Sequence, residues 1–228
     1  MDTPYSLLVA EEVVSTQDLA RELMRPSRPA VVVAHRQTGG RGRSGSPWQT
    51  APRAVAVSVG FRSDWQSPYR TLLPLVAGVA ARRVLGESVW LKWPNDLLVD
   101  DSKAGGILVE AAGEQIVAGM GVNLYWPDPP AGVGALDARD PGSDRGPQLA
   151  TGWADELLTL MRTGADRWPR DEYLEACVTL GTQISWDPNG RGRAVDVAPD
   201  GSLEVVTAEG HRISLTAGAV RHVRPSPG

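Results

Sequence analysis

Gln37-Thr38-Gly39-Gly40-Arg41-Gly42-Arg43-Ser44-Gly45-Ser46-Pro47-Trp48 lies between two apolar runs, Ala30-Val31-Val32-Val33-Ala34 and Val55-Ala56-Val57-Ser58-Val59. Both flanks read as strands of a core sheet. The stretch between them cannot hold a regular element, because glycine loses the most backbone entropy on ordering and offers nothing to bury. Gly40-x-Gly42-x-x-Gly45 has the spacing of a dinucleotide fingerprint, but that motif must open a helix, and here Pro47, Trp48 and a strand follow. A Rossmann site is therefore excluded here, and no G-x-x-x-x-G-K-[ST] loop is present. What is left is a cationic loop between two strands. It is either a solvated Gly/Arg turn or a lid suited to an anion. The neighbourhood favours the lid. No acidic residue occurs between Glu22 and Asp64, whereas Arg25, Arg28, Arg36, Arg41, Arg43, Arg53 and Arg62 all do. An uncompensated basic segment in a net-acidic chain points to a local anion site.

The remaining composition bounds the class. A chain of 228 residues can build one good core with a small appended domain, and 42% hydrophobic with 22% charged residues is ordinary for a globular protein. A net charge of −4 argues against binding through phosphate-backbone neutralisation, so no DNA partner is expected. The single cysteine, Cys177, excludes an intrachain disulfide and suits a reducing cytoplasm; its helical surroundings read as structural. Met1-Asp2-Thr3-Pro4 does not open a signal peptide, and no apolar run approaches the ~20 residues of a membrane span. Among 23 basic residues only Lys92 and Lys103 are lysine, close together. A compact ammonium is a different tool from a planar guanidinium.

Along the chain, Leu7–Val9 and Val13-Val14 read as strand pieces. Ser15 or Thr16 caps a helix over Leu19–Met24, with Asp18 in its first turn. A buried helix is expected over Thr71–Leu85, then a meander over Val89–Trp93, Leu97–Val99, Gly106–Ala111 and Gln115–Leu124, with Asn95 and Asp96 in a turn. Pro127 to Pro147 reads as a mobile connection with room for a short helical turn, and two helices follow, Trp153–Trp168 and one after Pro169. Beyond residue 180 come five short strands: Thr182–Trp186, Arg193–Val197, Leu203–Thr207, His211–Leu215 and Ala219–Val223. Asp200-Gly201 and Glu209-Gly210 mark hairpins, and the texture is that of a small SH3-like barrel.

No paired Cys or His spacing suits zinc, and His35, His211 and His222 are scattered. Without a nucleophile constellation, the Arg loop, the lysine pair and Asn95-Asp96 suit reactions governed by positioning and charge neutralisation. Phosphoryl and adenylyl transfer lead that class.

The residues resemble a known family at this point. Residues 37–48 look like the glycine loop of biotin protein ligases, Lys92-Trp93-Pro94-Asn95-Asp96 their second signature, Lys103-Ala104-Gly105-Gly106-Ile107-Leu108-Val109-Glu110 their third and Gly119-Met120-Gly121-Val122-Asn123 their fourth. Ser15-Thr16-Gln17 resembles their short N-terminal motif, which usually ends in Asn. The resemblance implies an α+β fold: a mixed, mostly antiparallel sheet with packed helices, like class II synthetases, over residues 1–180, and an SH3-like C-terminal barrel over 181–228.

It also implies an ATP-dependent ligase that makes biotinyl-5′-AMP with magnesium and transfers biotin to a lysine of a biotin carboxyl carrier domain of acyl-CoA carboxylases. Biotin and Mg²⁺–ATP are substrates, with no tightly bound cofactor. By motif, Ser15, Thr16, Gln37 and Gly40 would serve biotin. Arg41 and Arg43 would order the loop over the acyl-adenylate, Trp48 would pack beside the nucleotide, and Lys103 would hold carboxylate and α-phosphate oxygens. Gly105 and Gly106 would allow close backbone approach, Asn95 and Lys92 would serve the nucleotide, Asn123 its adenosine end, and Asp96 the magnesium. The alternative is a non-catalytic biotin or biotinyl-AMP sensor on the same fold. Ser44 and Ser46 stand where the family often carries arginine, and Tyr125 where a second Asn is common. Only 14 residues precede Ser15, so no helix-turn-helix domain and no operator binding are expected. A monomer or weak homodimer is expected, in the cytoplasm and away from membranes.

Overall fold

The computed structural model describes residues 3–45, 48, 50–65, 67–186, 189–216 and 223–225. Ser46, His222 and most of the strand expected over 219–223 lie outside the described residues. A seven-stranded sheet is formed by β1 (Ser6–Val13), β2 (Ala30–Gln37), β3 (Arg53–Arg62), β4 (Trp90–Lys92), β5 (Asp96–Val99), β6 (Ser102–Ala112) and β7 (Gln115–Tyr125), in the order β1-β2-β3-β7-β6-β5-β4. Every pairing is antiparallel except β1 with β2, which run parallel because α1 (Thr16–Leu23) crosses between them. The Val/Ala runs behave as their pattern demands. Val31 and Val33, and Val55, Val57 and Val59, enter the main core beneath α2 (Leu73–Leu85) and α3 (Arg145–Arg162). Ala30 and Val32 face the other way, against Ala20 and Met24 on the α1 side.

Boundaries differ from the sequence expectation for local reasons. The two N-terminal strand pieces are one strand, whose Leu7, Leu8 and Val9 remain exposed at the sheet edge. Helix α1 starts at Thr16 rather than Leu19, since the Ser15 side chain accepts from the Asp18 N–H and so caps the turn. Helix α2 starts at Leu73, with Pro74 in its first turn and a 3-10 segment, Ser67–Leu72, before it. Helix α3 begins earlier and ends earlier than the tryptophans suggested; a 3-10 turn, Ala165–Arg167, leads to α4 (Arg170–Ala176). Cys177 follows α4 as its C-cap and is buried, which pushes its thiol pKa up.

The segment after β7 carries the largest correction. Residues expected to form a mobile connection are tied to the sheet by backbone pairs. Lys103 N–H donates to Gly132 O and Gly134 N–H to Lys103 O, both at 2.9 Å, while Leu136 and Asp137 N–H donate to Asn123 O and Leu124 O. It is a docked strap.

A second, five-stranded antiparallel sheet follows: β8 (Gln183–Trp186), β9 (Gly190–Val197), β10 (Leu203–Val206), β11 (Arg212–Leu215) and β12 (Val223–Pro225), ordered β11-β10-β9-β8-β12. It is the small SH3-like unit. Ile184, Ala194, Val197, Leu203 and Val205 continue the main core. Its 198–202 turn, with Gly201 at φ 85°, receives the Trp93 indole N–H on Gly201 O at 3.1 Å and that of Trp168 on Pro199 O at 2.9 Å. Among the described residues no helix is long and apolar enough to cross a membrane.

Candidate functional site

Strand side chains alternate between faces, and β7 exploits this. Ala118, Met120 and Val122 fill the core, so Gly119, Gly121 and Asn123 line the opposite face. Ser58 does the same on β3, between the core residues Val57 and Val59. Small residues on that face leave a cleft of about 510 Å³ between α1, the glycine loop and the β4–β5 turn. Its lining includes Ser15, Thr16, Gln37, Arg41, Arg43, Trp48, Lys92, Asn95, Asp96, Lys103, Gly106 and Asn123. Five sequence blocks far apart in the chain thus share one site.

One end of the cleft is polar and neutral. Thr16 N–H and Oγ1 both donate to Gln37 Oε1, at 2.8 and 3.0 Å, and Ser58 Oγ stands 2.7 Å from Thr16 Oγ1. Gly40 lies against the other side of Gln37, where an added Cβ would sit 3.2 Å from Nε2. Ser15, the helix cap, is 4% exposed.

The other end is charged. Lys103 Nζ reaches Asp96 Oδ1 at 2.5 Å and lies 5.9 Å from the centroid of the Trp48 ring, a cation–π position. The Trp48 ring spreads over the glycines of β6 and β7: a Cβ on Gly121 would meet it at 3.2 Å, one on Gly106 at 3.5 Å. Lys92 stands opposite Asp96 across the β4–β5 hairpin. Arg43 Nη1 reaches Asn95 Oδ1 at 3.4 Å, and Asn95 is fixed in turn by donating to Ile107 O at 2.8 Å. Burial lowers the Arg43 pKa, while Asp96 raises it in opposition. A half-buried guanidinium beside an ammonium is arranged to receive an anion.

Three of the expected site residues also make contacts within the protein. Arg41, which also lines the cleft, latches the loop to α1 by bonding Asp18 at 3.1 and 2.8 Å. That contact lowers the Asp18 pKa and raises that of Arg41. Asn123, 1% exposed, accepts from Ala51 N–H at 3.1 Å and donates to Gly134 O at 3.2 Å, which joins the strap to the chain beyond the glycine loop. Gly105 is required by packing within the sheet, since a Cβ there would lie 2.9 Å from Gly121 O and 3.0 Å from Leu97 Cδ1. Gly106 is the one that borders the cleft. Among the described residues no group of three or more His, Cys, Asp or Glu side chains is placed to hold a metal.

Sequence reasoning gave Ser58 and Asp18 no part in the site and named Gln17 only as the last residue of the N-terminal motif. Ser58 had a readable signal, as the one polar residue in an otherwise Val/Ala strand. The tie between Asp18 and Arg41 had none, because it depends on where α1 crosses the sheet.

Comparison with known proteins agrees with this geometry. Residues 9–124 match the biotin/lipoate A/B protein ligase family. A biotin–[acetyl-CoA-carboxylase] ligase from Mycobacterium tuberculosis is 31% identical over 213 residues, covering 85% of this chain and 79% of that protein. The bifunctional ligase/repressor BirA of Bacillus subtilis is 35% identical over 130 residues, covering 52% of this chain and 40% of that protein. Among solved structures, the biotin protein ligase from Aquifex aeolicus in complex with biotin and ATP shares the fold at TM-score 0.81, with 23% identity over 97% of this chain and 99% of that one. The enzyme from Leishmania major in complex with biotinyl-5-AMP superposes at TM-score 0.64, with 25% identity over 94% of this chain and the whole of that one. The matched span contains every motif that builds the cleft, and the chain belongs to the biotin/lipoate A/B protein ligase family, on the side of the biotin protein ligases.

Proposed function

We propose that the chain activates biotin with Mg²⁺–ATP as biotinyl-5′-AMP and transfers the biotinyl group to one lysine of a biotin carboxyl carrier domain of an acyl-CoA carboxylase. The observation that carries this reading is one cleft with a neutral polar end at Thr16, Gln37 and Ser58 and a cationic end at Arg43, Lys92 and Lys103. A ligand with a polar neutral ring and a distant carboxylate fits such a cleft lengthwise, with its carboxylate delivered to the cations.

A carboxylate is a poor electrophile, and adenylation supplies the leaving group. One carboxylate oxygen attacks the α-phosphorus of ATP, and the bond to the β-phosphate oxygen breaks, releasing pyrophosphate. The carrier lysine amine then attacks the acyl carbon, AMP leaves with the bridging oxygen, and the amine sheds a proton as the amide forms. Lys103 would bridge carboxylate and α-phosphate oxygens; its three donors allow it to keep Asp96 while doing so. Arg43 would face the phosphate and Trp48 the nucleotide, with Lys92 and Asn95 steadying the phosphates. Arg41 would hold the loop closed from outside. Asp96 would face the magnesium that arrives with ATP, phosphate oxygens supplying further ligands. Preorganised charge of this kind is worth about 10²–10³ in rate per group.

Residues 1–180 would form the biotin and ATP unit and 181–228 the small barrel. We assign the protein to the cytoplasm, as a monomer or weak homodimer acting away from membranes; the net charge of −4 favours a chain that does not engage DNA. Incubation with ATP, magnesium, labelled biotin and a carrier domain tests the reading. Label on the carrier lysine is expected. Biotin binding without carrier labelling would instead mark a non-catalytic sensor.

A further inference from the structure

One edge of the large sheet is left open and apolar. Among the described residues β1 is the outermost strand, paired with β2 alone. At its centre Leu7, Leu8 and Val9 are 44%, 38% and 46% exposed. Edge strands ordinarily carry charge, proline or a bulge in that place, because an open apolar edge recruits another strand. Here the charges lie only at the two ends. Glu11 and Glu12 stand toward the C-terminal end, and the Glu11 side chain is 93% exposed, its nearest charge partner being His35 at 4.0 Å. Arg28 folds over the N-terminal end, where its Nη2 donates to Tyr5 O at 3.1 Å.

The backbone of β1 decides how a strand can pair with it. Ser6 N–H donates to Pro29 O at 2.9 Å, so Ser6, Leu8, Ala10 and Glu12 turn their backbone groups to β2. By alternation those of Leu7, Val9 and Glu11 face outward. A second β1 laid antiparallel must match these outward residues with one another. With Leu8 on the two-fold axis, Leu8 meets Leu8 on one face and Leu7 meets Val9 on the other. The same register sets Glu11 of one copy opposite Tyr5 of the next, beside Arg28. A shift of two residues one way sets Leu7 against Glu11, and the other way Leu8 against Ser6. A parallel copy would place glutamate beside glutamate.

We propose that the outer edge of β1 is an interface for a second copy of this chain, the two sheets continuing through antiparallel β1 strands about a two-fold axis at Leu8. The occupant is a second copy because the edge complements itself, apolar centre to apolar centre and acidic end to basic end. This interface goes beyond the ligase reading and does not depend on it. The residues that line the cleft lie outside β1, so each copy keeps a complete site.

Sedimentation equilibrium of the full chain tests the proposal. One pair of strand edges makes a small interface, so reversible dimers with a dissociation constant of about 10–100 µM are expected. Leu8→Lys puts two ammonium groups opposite each other on the axis and should weaken dimers by about 10-fold or more. Glu11→Arg and Arg28→Glu should each weaken them about 3- to 10-fold, and the double variant, which reverses both ends, should recover wild-type association. Glu11 and Arg28 are exposed, so this charge pair decides the matter if Leu8→Lys fails to fold. A chain still monomeric at about 1 mM overturns the proposal. So do species larger than a dimer, dimers indifferent to Leu8→Lys, or a double variant as weak as the single ones. Carrier-domain binding that Leu8→Lys abolishes, in a chain monomeric by itself, would assign the edge to the carrier and overturn it too.

Discussion

Two segments flank the cleft, both poor in core-forming residues, and the fold holds them by different means. The glycine loop is fastened by side chains: Arg41 to Asp18 across an exposed surface, and Arg43 to Asn95 inside the cleft. The strap after β7 is fastened by main chain, through paired bonds to Lys103, Asn123 and Leu124, with Asn123 beneath it and an Arg53–Asp140 ion pair at its far end. Side-chain ties between exposed charges break and reform readily, whereas a backbone ladder over a buried amide does not. Glycine and proline content reports that a segment has no core to enter. It does not report whether its backbone has found a partner. Among the described residues the loop is therefore held by side chains and the strap by main chain.

Substitutions can separate the two walls. Lys103 joins both, its side chain facing the cleft and its backbone pairing with the strap. Lys103→Ala should cut biotin-dependent ATP–pyrophosphate exchange by about 10²-fold or more while trypsin sensitivity at Arg139 in the strap stays unchanged. Loss of the strap together with activity would mean that the ammonium is structural. Arg43→Ala should lower exchange by about 10²-fold with unfolding in urea unaltered, because the guanidinium acts on developing charge. Asn123→Ala should act on stability first, by about 1–3 kcal/mol in urea unfolding, since Ala51 N–H and Gly134 O lose their partner in a buried place. It should also expose Arg139 to trypsin. An unchanged midpoint would show that the strap needs no support from Asn123.

The latch should matter least. Arg41→Ala and Asp18→Ala are each expected to cost less than about 1 kcal/mol, non-additively, with rates a few-fold lower and more so at low salt. The Asp18 carboxyl has a lowered pKa in the fold, so its contribution is fully present above the ordinary carboxylate value and is lost as pH falls through the lowered one. The difference between wild type and Asp18→Ala should therefore be flat from about pH 5 upward. A difference that varies near neutrality would assign the latch to another group.

Much of this was legible before the structure. The apolar runs Ala30–Ala34 and Val55–Val59 marked strands of the core sheet, and the signature blocks named most of the cleft. What escaped depended on distant partners. The parallel β1–β2 pairing follows from where α1 crosses, and the docked strap from backbone bonds that carry no residue signature. The resemblance implies that Arg41 orders the loop over the ligand, and its partner in the fold, Asp18, sits on another element. The resemblance implies a contact of Asn123 with the adenosine end, and the bonds it makes to Ala51 and Gly134 carry no sequence signal because both partners lie in other segments.

The central claim is that the cleft joins two substrates covalently before any carrier arrives. Incubating the protein with biotin, ATP and magnesium alone, then resolving the bound ligand by native mass spectrometry while assaying pyrophosphate, tests it most directly. The expected result is protein-bound biotinyl-5′-AMP with one equivalent of pyrophosphate released. Biotin and intact ATP bound together, with no pyrophosphate, would contradict it.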